Sequence, residues 1–353
     1  MKVVVNARFL TQKITGVQRF AYELSIRLKK IFRNDIVFLA PKGIVQEQMA
    51  YDLEAIQFGM LKGYLWEQIE LPFWLYSHGN PILLNLCSVA PLLYNENYTA
   101  IHDITYERYP DTFSWKFLLA YKILVPQICK NAKHIITVSN FSRKEIASYY
   151  NIPLAKFTVI YNAAGDMFKN IPDIEKKNEK YFLAVSSVKA NKNFALVLQA
   201  FSKVQESCKD VRLYVIGDCK DKNFSLIDIG DYLDNSSITF LGRVSDYDLI
   251  KYYSNAIGFV FPSLYEGFGI PVIEAQSCGC PVLSSNSSSL PEVLSDSALF
   301  FEPDDIDRLS QLMLELTRDE NLRQVLIQKG YSNSARFSWD DSANNIAYLL
   351  SNG

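Results

Sequence analysis

Cysteine is scarce in this chain of 353 residues. Its six cysteines are scattered and form no Cys-x-x-Cys pair, and Cys278 and Cys280 are separated by one residue, a poor spacing for a metal site or a disulfide. A disulfide framework of the kind found in small secreted proteins is therefore not indicated. We expect reduced, buried thiols, which fits a protein of the cytoplasm.

The chain also lacks an excess of one charge and a long hydrophobic run. Its 36 basic and 38 acidic side chains give a net charge of −2, so no overall field favours nucleic acid or an anionic membrane. The most apolar helical stretch, residues 115–128, is interrupted by Lys116, Lys122 and Pro126, which makes it too short and too charged to span a bilayer. The opening residues, MKVVVN, turn polar at once, and this predicts a first strand and not a secretory signal.

Apolar residues are plentiful, at 49% of the chain, and the length suggests two domains. Short β-rich runs alternate with helical periods in both halves. Strands are predicted at 3–5, 36–40, 82–85, 99–101, 135–138, 157–161, 182–186, 213–217, 238–241, 257–262 and 282–284. Helices are predicted at 17–30, 65–77, 115–131, 142–150, 194–206 and 245–254. This alternation predicts parallel sheets with helices on both faces.

A charged segment without a regular apolar period, residues 166–180, divides the two halves. Because it also contains Pro172, we interpret it as an interdomain linker. The prediction is an N-terminal domain at 1–165, a C-terminal domain at 181–336 and a final helical segment at 337–353.

The most informative segment, PSLYEGFGIPVIE, runs from Pro262 to Glu274. It follows an apolar run predicted as a buried strand, and it leads into a helix with Pro271 in its first turn. A helix N-terminus presents free backbone N–H groups and the positive end of the helix dipole to an anion. Glu266 and Glu274 flank this turn with seven residues between them. Backbone donors suit a diphosphate, and carboxylates suit sugar hydroxyls.

This segment resembles the Glu-x7-Glu signature of retaining glycosyltransferases of the GT-B fold, in particular family four (group 1), which builds bacterial polysaccharides. The resemblance covers nearly the whole chain. It implies an α/β protein with two doubly wound, Rossmann-like parallel-sheet domains facing a cleft, and a last helix that crosses back to the N-terminal domain. By the same resemblance, Glu266 reaches the hydroxyls of the donor sugar and Glu274 accepts hydrogen bonds from the ribose. The implied diphosphate contacts are the amides around Gly267, Phe268, Gly269 and Ile270.

Other donor contacts are implied outside the signature. Lys192 lies at the predicted start of a helix, where a lysine can contact a phosphate together with the backbone amides, and its segment resembles the phosphate-binding loop of the family. The family often has an arginine where this chain has Ser187, and Arg243 and Arg8 are both candidates for the missing cation. The segment with Arg243 and Val244 resembles the strand and turn whose backbone reads the edge of the nucleobase.

In the first half, His102 and Asp103 follow a predicted strand and resemble the family's motif at the cleft. There the histidine contacts the donor sugar and stabilises positive charge at the anomeric carbon. Gly16 opens a predicted helix and resembles a glycine loop near the diphosphate. No Asp-x-Asp triplet lies in a suitable loop, since residues 304–307 are predicted as a helix start. Neither a metal ion nor another cofactor is therefore expected.

The predicted function is that of a retaining hexosyltransferase in cell-surface polysaccharide synthesis, with an oxocarbenium-like transition state. Segments 191–193 (NKN) and 162–164 (NAA) resemble mannosyltransferases of O-antigen or capsule pathways. We therefore expect GDP-mannose as donor and a lipid-linked or polysaccharide acceptor. UDP-glucose, UDP-galactose and a deoxysugar donor stay open. The alternatives are a nucleotide-sugar epimerase or hydrolase on the same fold, and a non-catalytic sugar-nucleotide binding protein.

The predicted helix at 115–131 also raises the question of a membrane. Its lysines interleave with aromatic and apolar residues, a pattern found in helices that lie on a membrane surface. A helix that packs on the core with solvated lysines is the alternative. The expected location is cytoplasmic, with weak contact at the inner face of the cytoplasmic membrane as the added hypothesis. No partner nucleic acid is expected, and the sequence does not predict an oligomeric state.

Overall fold

The computed structural model describes residues 2–171, 179–185, 190–217, 232 and 234–352. The chain divides into two units: unit 1 contains residues 1–162 and 338–353, and unit 2 contains residues 163–337. Unit 2 is thus continuous in sequence, whereas unit 1 is built from both ends of the chain. The predicted linker at 166–180 starts inside unit 2, and its residues 172–178 lie outside the described residues.

Among the described residues of unit 1, seven parallel strands form one sheet in the order β3-β2-β1-β4-β5-β6-β7. They are β1 (Val3–Asn6), β2 (Ile36–Ala40), β3 (Ile56–Gln57), β4 (Ile82–Asn85), β5 (Asn97–Ala100), β6 (His134–Thr137) and β7 (Phe157–Val159). The chain builds outward from β1 to β3 and then returns to place β4 on the other side of β1. The carboxyl ends of β1 and β4 therefore flank the reversal of strand order, where open parallel sheets bind ligands.

Helices and short turns connect these strands. They are α1 (Gly16–Phe32), α2 (Glu47–Leu53), α3 (Gly63–Leu65), α4 (Leu71–Ser77), α5 (Thr105–Arg108), α6 (Trp115–Asn131) and α7 (Asn140–Tyr150). Turns of 3-10 helix occur at Arg8–Thr11, Arg33–Asp35, Pro110–Thr112 and Leu154–Lys156. The prediction of one regular helix at 65–77 is wrong, because a π-helical turn, Trp66–Glu70, separates α3 from α4.

Among the described residues of unit 2, six parallel strands form one sheet in the order β10-β9-β8-β11-β12-β13. They are β8 (Lys180–Val185), β9 (Val211–Ile216), β10 (Ile238–Gly242), β11 (Gly258–Phe261), β12 (Val282–Ser285) and β13 (Leu299–Phe301). Here the strand order reverses between β8 and β11. The carboxyl ends of these two strands are consequently the place where this sheet is expected to bind a ligand.

The helices of unit 2 are α8 (Phe194–Ser207), α9 (Asp246–Asn255), α10 (Ile270–Ser277), α11 (Leu290–Leu294), α12 (Ile306–Arg318) and α13 (Glu320–Ser334). A 3-10 turn, Ala190–Lys192, precedes α8. One apolar core joins the sheet to α8 and α12, with Phe182, Phe201 and Leu312 fully buried in it. Because helices cover these parallel strands, their apolar runs are nearly continuous, which is why they could be predicted.

The last helix, α14 (Trp339–Asn352), belongs to unit 1. Its Trp339 meets the ring of Phe20 on α1 edge-to-face, with 6.0 Å between ring centroids. The Nε of Arg27, also on α1, lies 3.0 Å from Oδ1 of Asp340, and Ser342 Oγ donates a hydrogen bond of 2.7 Å to the carbonyl of Tyr161. These contacts attach the end of the chain to the unit formed by its beginning.

The prediction of an α/β protein with two Rossmann-like parallel sheets is confirmed. The bounds of most predicted strands agree with the structure within two residues, and so do the bounds of the helices predicted at 115–131 (α6) and 194–206 (α8). Two short edge strands, β3 and β13, were not predicted. Edge strands of two or three residues carry too little apolar pattern to be distinguished from loops.

Candidate functional site

Lys192 and Glu266 are brought together in unit 2, although 74 residues separate them. Lys192 ends the 3-10 turn that precedes α8, and Glu266 lies in the loop between β11 and α10. Nζ of Lys192 forms an ion pair with Oε1 of Glu266. The two side chains are only 21% and 14% exposed, so this pair is screened less by solvent than a surface pair.

The backbone of Glu266 is held on both sides. Its N–H donates to Ser288 Oγ at 2.9 Å, and its carbonyl accepts from Ser289 Oγ at 3.0 Å. The loops after β8 and β11 are also joined, since the N–H of Leu264 donates to the carbonyl of Asn191 at 2.8 Å. These bonds hold the backbone of Glu266 at the carboxyl ends of β8 and β11, the reversal point of this sheet.

The loop that ends at Gly269 leads into the N-terminus of α10. Gly269 has φ +96°, and a Cβ atom there would lie 2.9 Å from Leu290 Cδ2. Phe268 is buried and meets Phe337 edge-to-face, with 5.3 Å between ring centroids. The loop therefore needs a residue without Cβ at 269 to turn its backbone into the helix, and the N–H of Ile270, the first residue of α10, has no partner within the helix itself.

A methyl group at Gly269 is expected to disturb this loop. Gly269→Ala combines the left-handed backbone with the contact to Leu290, so we expect a loss of unfolding free energy of about 1–3 kcal/mol. Thermal unfolding measures this loss. Gly43→Ala is the matched control, since Gly43 also has positive φ (+96°) but its Cβ would meet nothing within 4 Å. Equal effects of the two changes would show that crowding at 269 is unimportant.

The other predicted donor residues lie in unit 2, except Asp103 and Gly16, which lie in unit 1. Glu274 is on α10 and is 6% exposed. Burial raises the pKa of Tyr253, and the negative charge of Glu274 is the second cause of this rise. Arg243 is exposed and Val244 is half-buried, and both follow β10. Ser187 lies outside the described residues. Gly267 is buried and Ile270, the first residue of α10, is half-buried.

His102 lies just after β5 in unit 1 and is 8% exposed. Its Nε2 is 3.0 Å from the carbonyl of Leu86, and because a carbonyl can only accept, Nε2 carries the proton and Nδ1 is the acceptor in the neutral ring. Phe20 meets the imidazole edge-to-face at 4.7 Å. Burial lowers the pKa of His102, against the opposing effects of the Leu86 carbonyl and Asp103.

Acidification is expected to destabilise unit 1 through His102. Its folded-state pKa lies below the unfolded value of about 6.5, so the unfolded chain binds a proton first as the pH falls through 6.5. From pH 7.5 to 5.5 we expect His102 to cost about 1 kcal/mol of unfolding free energy. The comparison is with His102→Gln, which lacks this proton. The same pH dependence in both proteins would exclude His102 as the source.

Asp103 and Gly16 take part in helix starts. Oδ1 of Asp103 accepts from the N–H of Thr105 at 2.8 Å and from its hydroxyl at 2.6 Å, which holds the beginning of α5. Gly16 is the exposed first residue of α1, after a capping box formed by Thr15 and Gln18. Within the described part of the chain, no three His, Cys, Asp or Glu side chains are grouped to hold a metal ion.

Sequence reasoning missed Glu67 and treated Arg8 only as a candidate phosphate contact. In unit 1 the two residues form a buried ion pair, with 3.1 Å between Arg8 Nε and Glu67 Oε1. Asn6 and Asn85, the last residues of β1 and β4, are hydrogen-bonded beside it. A polar residue at the end of two apolar strands was the available signal, because ligand sites form at such strand ends.

Comparison with known proteins identifies the family to which this chain belongs. The model described as "Glycosyltransferase Family 4" matches residues 14–164, and the model "Glycosyl transferases group 1" matches residues 167–333. The chain is 30% identical over 256 residues to O-antigen chain mannosyltransferase B of Escherichia coli, covering 69% of this chain and 67% of the relative. It is 37% identical over 219 residues to O-antigen chain mannosyltransferase RfbU of Salmonella typhimurium, covering 61% and 59%.

A solved structure shares the whole architecture. HepE of Anabaena, in complex with UDP-glucose, superposes with a TM-score of 0.77 at 17% identity, covering 99% of both chains. At this identity the likeness shows the fold alone, and it confirms the predicted GT-B class. With both family models matched in order along the chain, this protein belongs to the group 1 glycosyltransferases of family four, and it is a transferase of the GT-B fold.

Proposed function

We propose that this protein transfers a mannosyl group from GDP-mannose to a hydroxyl of a lipid-linked or polysaccharide acceptor, with retention of the α configuration. The Lys192–Glu266 pair carries the proposal. It places one cation and one carboxylate side by side at the reversal point of the sheet of unit 2, beside the N-terminus of α10. A diphosphate and a sugar joined to it need these two kinds of group next to each other.

In this proposal each group has one task. Lys192 and the amides from Gly267 to Ile270 stabilise the charge that develops on the leaving diphosphate. Glu266 accepts hydrogen bonds from the hydroxyls of the transferred sugar, and Glu274 accepts from the ribose. His102 contributes a neutral imidazole whose Nδ1 is a hydrogen-bond acceptor. Protein dipoles placed in advance lower the barrier because they need no reorganisation during the reaction.

Mannose is proposed because two relatives that are 30% and 37% identical to this chain are named O-antigen mannosyltransferases. The experiment is a donor panel: GDP-mannose, UDP-glucose, UDP-galactose and a dTDP-deoxysugar are compared by calorimetry. Turnover with a mannose-terminated oligosaccharide is followed by proton NMR of the new anomeric centre. We expect the tightest binding and an α-linked product with GDP-mannose. A β-linked product or preference for a UDP-sugar would reject the respective part of the proposal.

Incubation with donor alone separates this proposal from an epimerase or hydrolase. A transferase without acceptor should release GDP slowly compared with the transfer reaction. Fast epimerisation, or stoichiometric hydrolysis at the same rate with and without acceptor, would favour the alternative. Nucleotide binding without any turnover across the panel would instead favour a non-catalytic binding protein.

We further propose that α6 makes weak contact with an anionic membrane. No helix among the described residues is long and apolar enough to cross a bilayer. On α6, however, Trp115, Leu119 and Ile123 recur every four residues and are 69%, 54% and 57% exposed, and Lys116 and Lys122 are exposed beside them. Such a face suits the lipid headgroup boundary.

Vesicles containing anionic lipid test this contact. Because Trp115 is 69% exposed, the total tryptophan emission should shift to shorter wavelength on vesicle binding, and Lys122→Glu should weaken the binding. Lys29→Glu, which changes a lysine of unit 1 outside α6, is the charge-matched control. Equal binding of wild type and Lys122→Glu would reject a role for α6.

A further inference from the structure

A polar cluster in unit 1 lies where the strand order of its sheet reverses. Asn6 ends β1 and Asn85 ends β4. Nδ2 of Asn6 donates to Oδ1 of Asn85 at 3.0 Å and to Oε1 of Glu67 at 2.5 Å. This position in the first sheet corresponds to that of Lys192 and Glu266 in the second, because each lies at the carboxyl ends of the two strands that flank a reversal.

Only one of the two oxygens of the Glu67 carboxylate has hydrogen-bond partners. Oε1 accepts from both Asn6 and Arg8 Nε, whereas Oε2 is buried and has no hydrogen-bond partner in the described part of the chain. Glu67 is 1% exposed. A buried polar atom without a partner costs free energy, more so on a charged group. The fold therefore retains at this point an acceptor that a bound hydroxyl would satisfy.

The backbone at Glu67 is irregular in a way that aims it inward. Glu67 is the second residue of the π-helical turn Trp66–Glu70, and π-turns in helices are frequent at functional sites. Trp66 is fully buried in an apolar core with Val4 and Leu83, and its Nε1 donates to the carbonyl of Phe58 at 3.1 Å. Two consecutive residues thus point inward, one into the apolar core and the other into the polar cluster.

Aromatic rings continue from this cluster along α6. The guanidinium of Arg8 lies over the ring of Tyr64, 4.8 Å from its centroid. Burial raises the pKa of Tyr121, Tyr64 adds to this rise and the positive charge of Arg8 opposes it, so Tyr121 lies close enough to both side chains to interact with them electrostatically. Tyr121 is stacked on Phe117 at 3.9 Å, and Phe117 is stacked on Phe113 at 5.0 Å. These α6 rings and Tyr64 are half-buried, unlike a closed core.

We propose that this arrangement is a sugar-binding site for the glycan acceptor, and we call it the acceptor cluster: Arg8, Tyr64, Glu67, Phe117 and Tyr121. Oε2 of Glu67 accepts a hydrogen bond from a sugar hydroxyl, Arg8 donates to a neighbouring hydroxyl oxygen, and the aromatic rings cover the apolar face of the sugar. A few placed polar groups among aromatic walls are typical of small-molecule sites. The proposal rests on the proposed function, which requires a hydroxyl-bearing acceptor.

Access to the cluster requires a side-chain movement. Oε2 of Glu67 is closed off from solvent, and the half-buried rings of Tyr64 and Tyr121 are its neighbours. Since these two tyrosines are only partly covered by other residues, we assign to them the opening of the site. The membrane-facing residues of α6 are different ones, since Trp115, Leu119 and Ile123 are exposed whereas Phe117 and Tyr121 are not.

Sugar binding to the full chain tests the cluster without nucleotide. Saturation-transfer NMR is recorded with the methyl α-glycosides of mannose, glucose and galactose and with an α-linked mannotriose. At least one should bind, and Glu67→Gln should weaken that binding about tenfold or more, because one acceptor of a charge-assisted bond is lost. Phe117→Leu, which keeps apolar bulk but removes the flat ring, should also weaken it.

Tyr149→Phe is the matched control, since the Tyr149 hydroxyl also donates to a carboxylate of unit 1, at 2.9 Å from Glu107, but lies on the surface. It should leave sugar affinity unchanged. No saturation transfer from any sugar of the panel would overturn the proposal. Equal affinity of wild type, Glu67→Gln and Phe117→Leu would overturn it as well, and the thermal midpoints of the variants show whether each is folded.

Kinetics separate this inference from the proposed function. With a working donor and acceptor, Glu67→Gln and Phe117→Leu should raise the KM for acceptor and leave the Kd for GDP unchanged. If transfer occurs and both variants keep the wild-type KM, the acceptor cluster is refuted while the transferase stands. If sugars bind at the cluster but no nucleotide-sugar is ever turned over, the function is refuted while the site stands.

Discussion

Glu266→Gln is expected to lower kcat/KM for sugar transfer by about a hundredfold or more, while binding of GDP stays the same or becomes tighter. Glu266 is paired with Lys192 and is the carboxylate proposed to hold the sugar hydroxyls. Glutamine keeps the shape of the side chain but loses the charge that orders those hydroxyls. It also releases Lys192, which then meets a phosphate without competition. Steady-state kinetics and calorimetry measure the two effects separately.

Two comparisons sharpen this experiment. Glu315→Gln removes the charge of an ion-paired glutamate on the exposed face of α12, 3.2 Å from Arg308, and should leave kcat/KM unchanged. Lys192→Ala should weaken the affinity for GDP, whereas Glu266→Gln should not. If the Glu266→Gln variant keeps the wild-type kcat/KM for sugar transfer, Glu266 does not belong to the site, whether or not the affinity for GDP changes.

Arg8→Met is expected to lower the unfolding free energy of unit 1 by about 3–5 kcal/mol. Arg8 and Glu67 are both almost fully buried, and loss of the arginine leaves the Glu67 carboxylate without its counter-charge. All four tryptophans of the chain lie in unit 1, at 66, 74, 115 and 339. Urea unfolding followed by tryptophan emission therefore reports on this unit alone.

An exposed pair provides the reference for Arg8→Met. Lys133 and Glu96 are 2.9 Å apart in the same unit, with side chains 36% and 47% exposed. Lys133→Met should cost less than about 1 kcal/mol, because solvent already screens the pair. The double change Arg8→Met with Glu67→Leu should recover much of the lost stability, since no unpaired charge remains. Similar small losses for Arg8→Met and Lys133→Met would mean that Glu67 is not charged in the folded protein.

The fold could be predicted wherever local pattern carries the information. The strands β1 and β11 are apolar runs because their neighbours bury them on both faces. The turn before α10 was visible because its backbone favours glycine at Gly269 and because proline, here Pro271, is common in the first turn of a helix. In both cases a few adjacent residues determine the structure, so no knowledge of distant partners is needed.

Contacts between distant residues could not be predicted. Arg8 was assigned as one of two candidates for a phosphate contact, and its ion pair with Glu67, 59 residues away, was not predicted. The π-turn at Trp66–Glu70 was missed for the same reason. Apolar periodicity describes a regular helix, but this turn depends on burying Trp66 and on directing Glu67 to Asn6, which no local pattern encodes.

The placement of α14 has a consequence for synthesis on the ribosome. Unit 2 is one uninterrupted stretch of chain, so all its contacts can form once residue 337 has emerged. Unit 1 begins earlier in the chain but lacks the helix that packs on α1 until residues 339–352 have emerged. The unit whose synthesis starts earlier is thus completed after unit 2, and until α14 has emerged its uncovered α1 surface is open to chaperones and to misassembly.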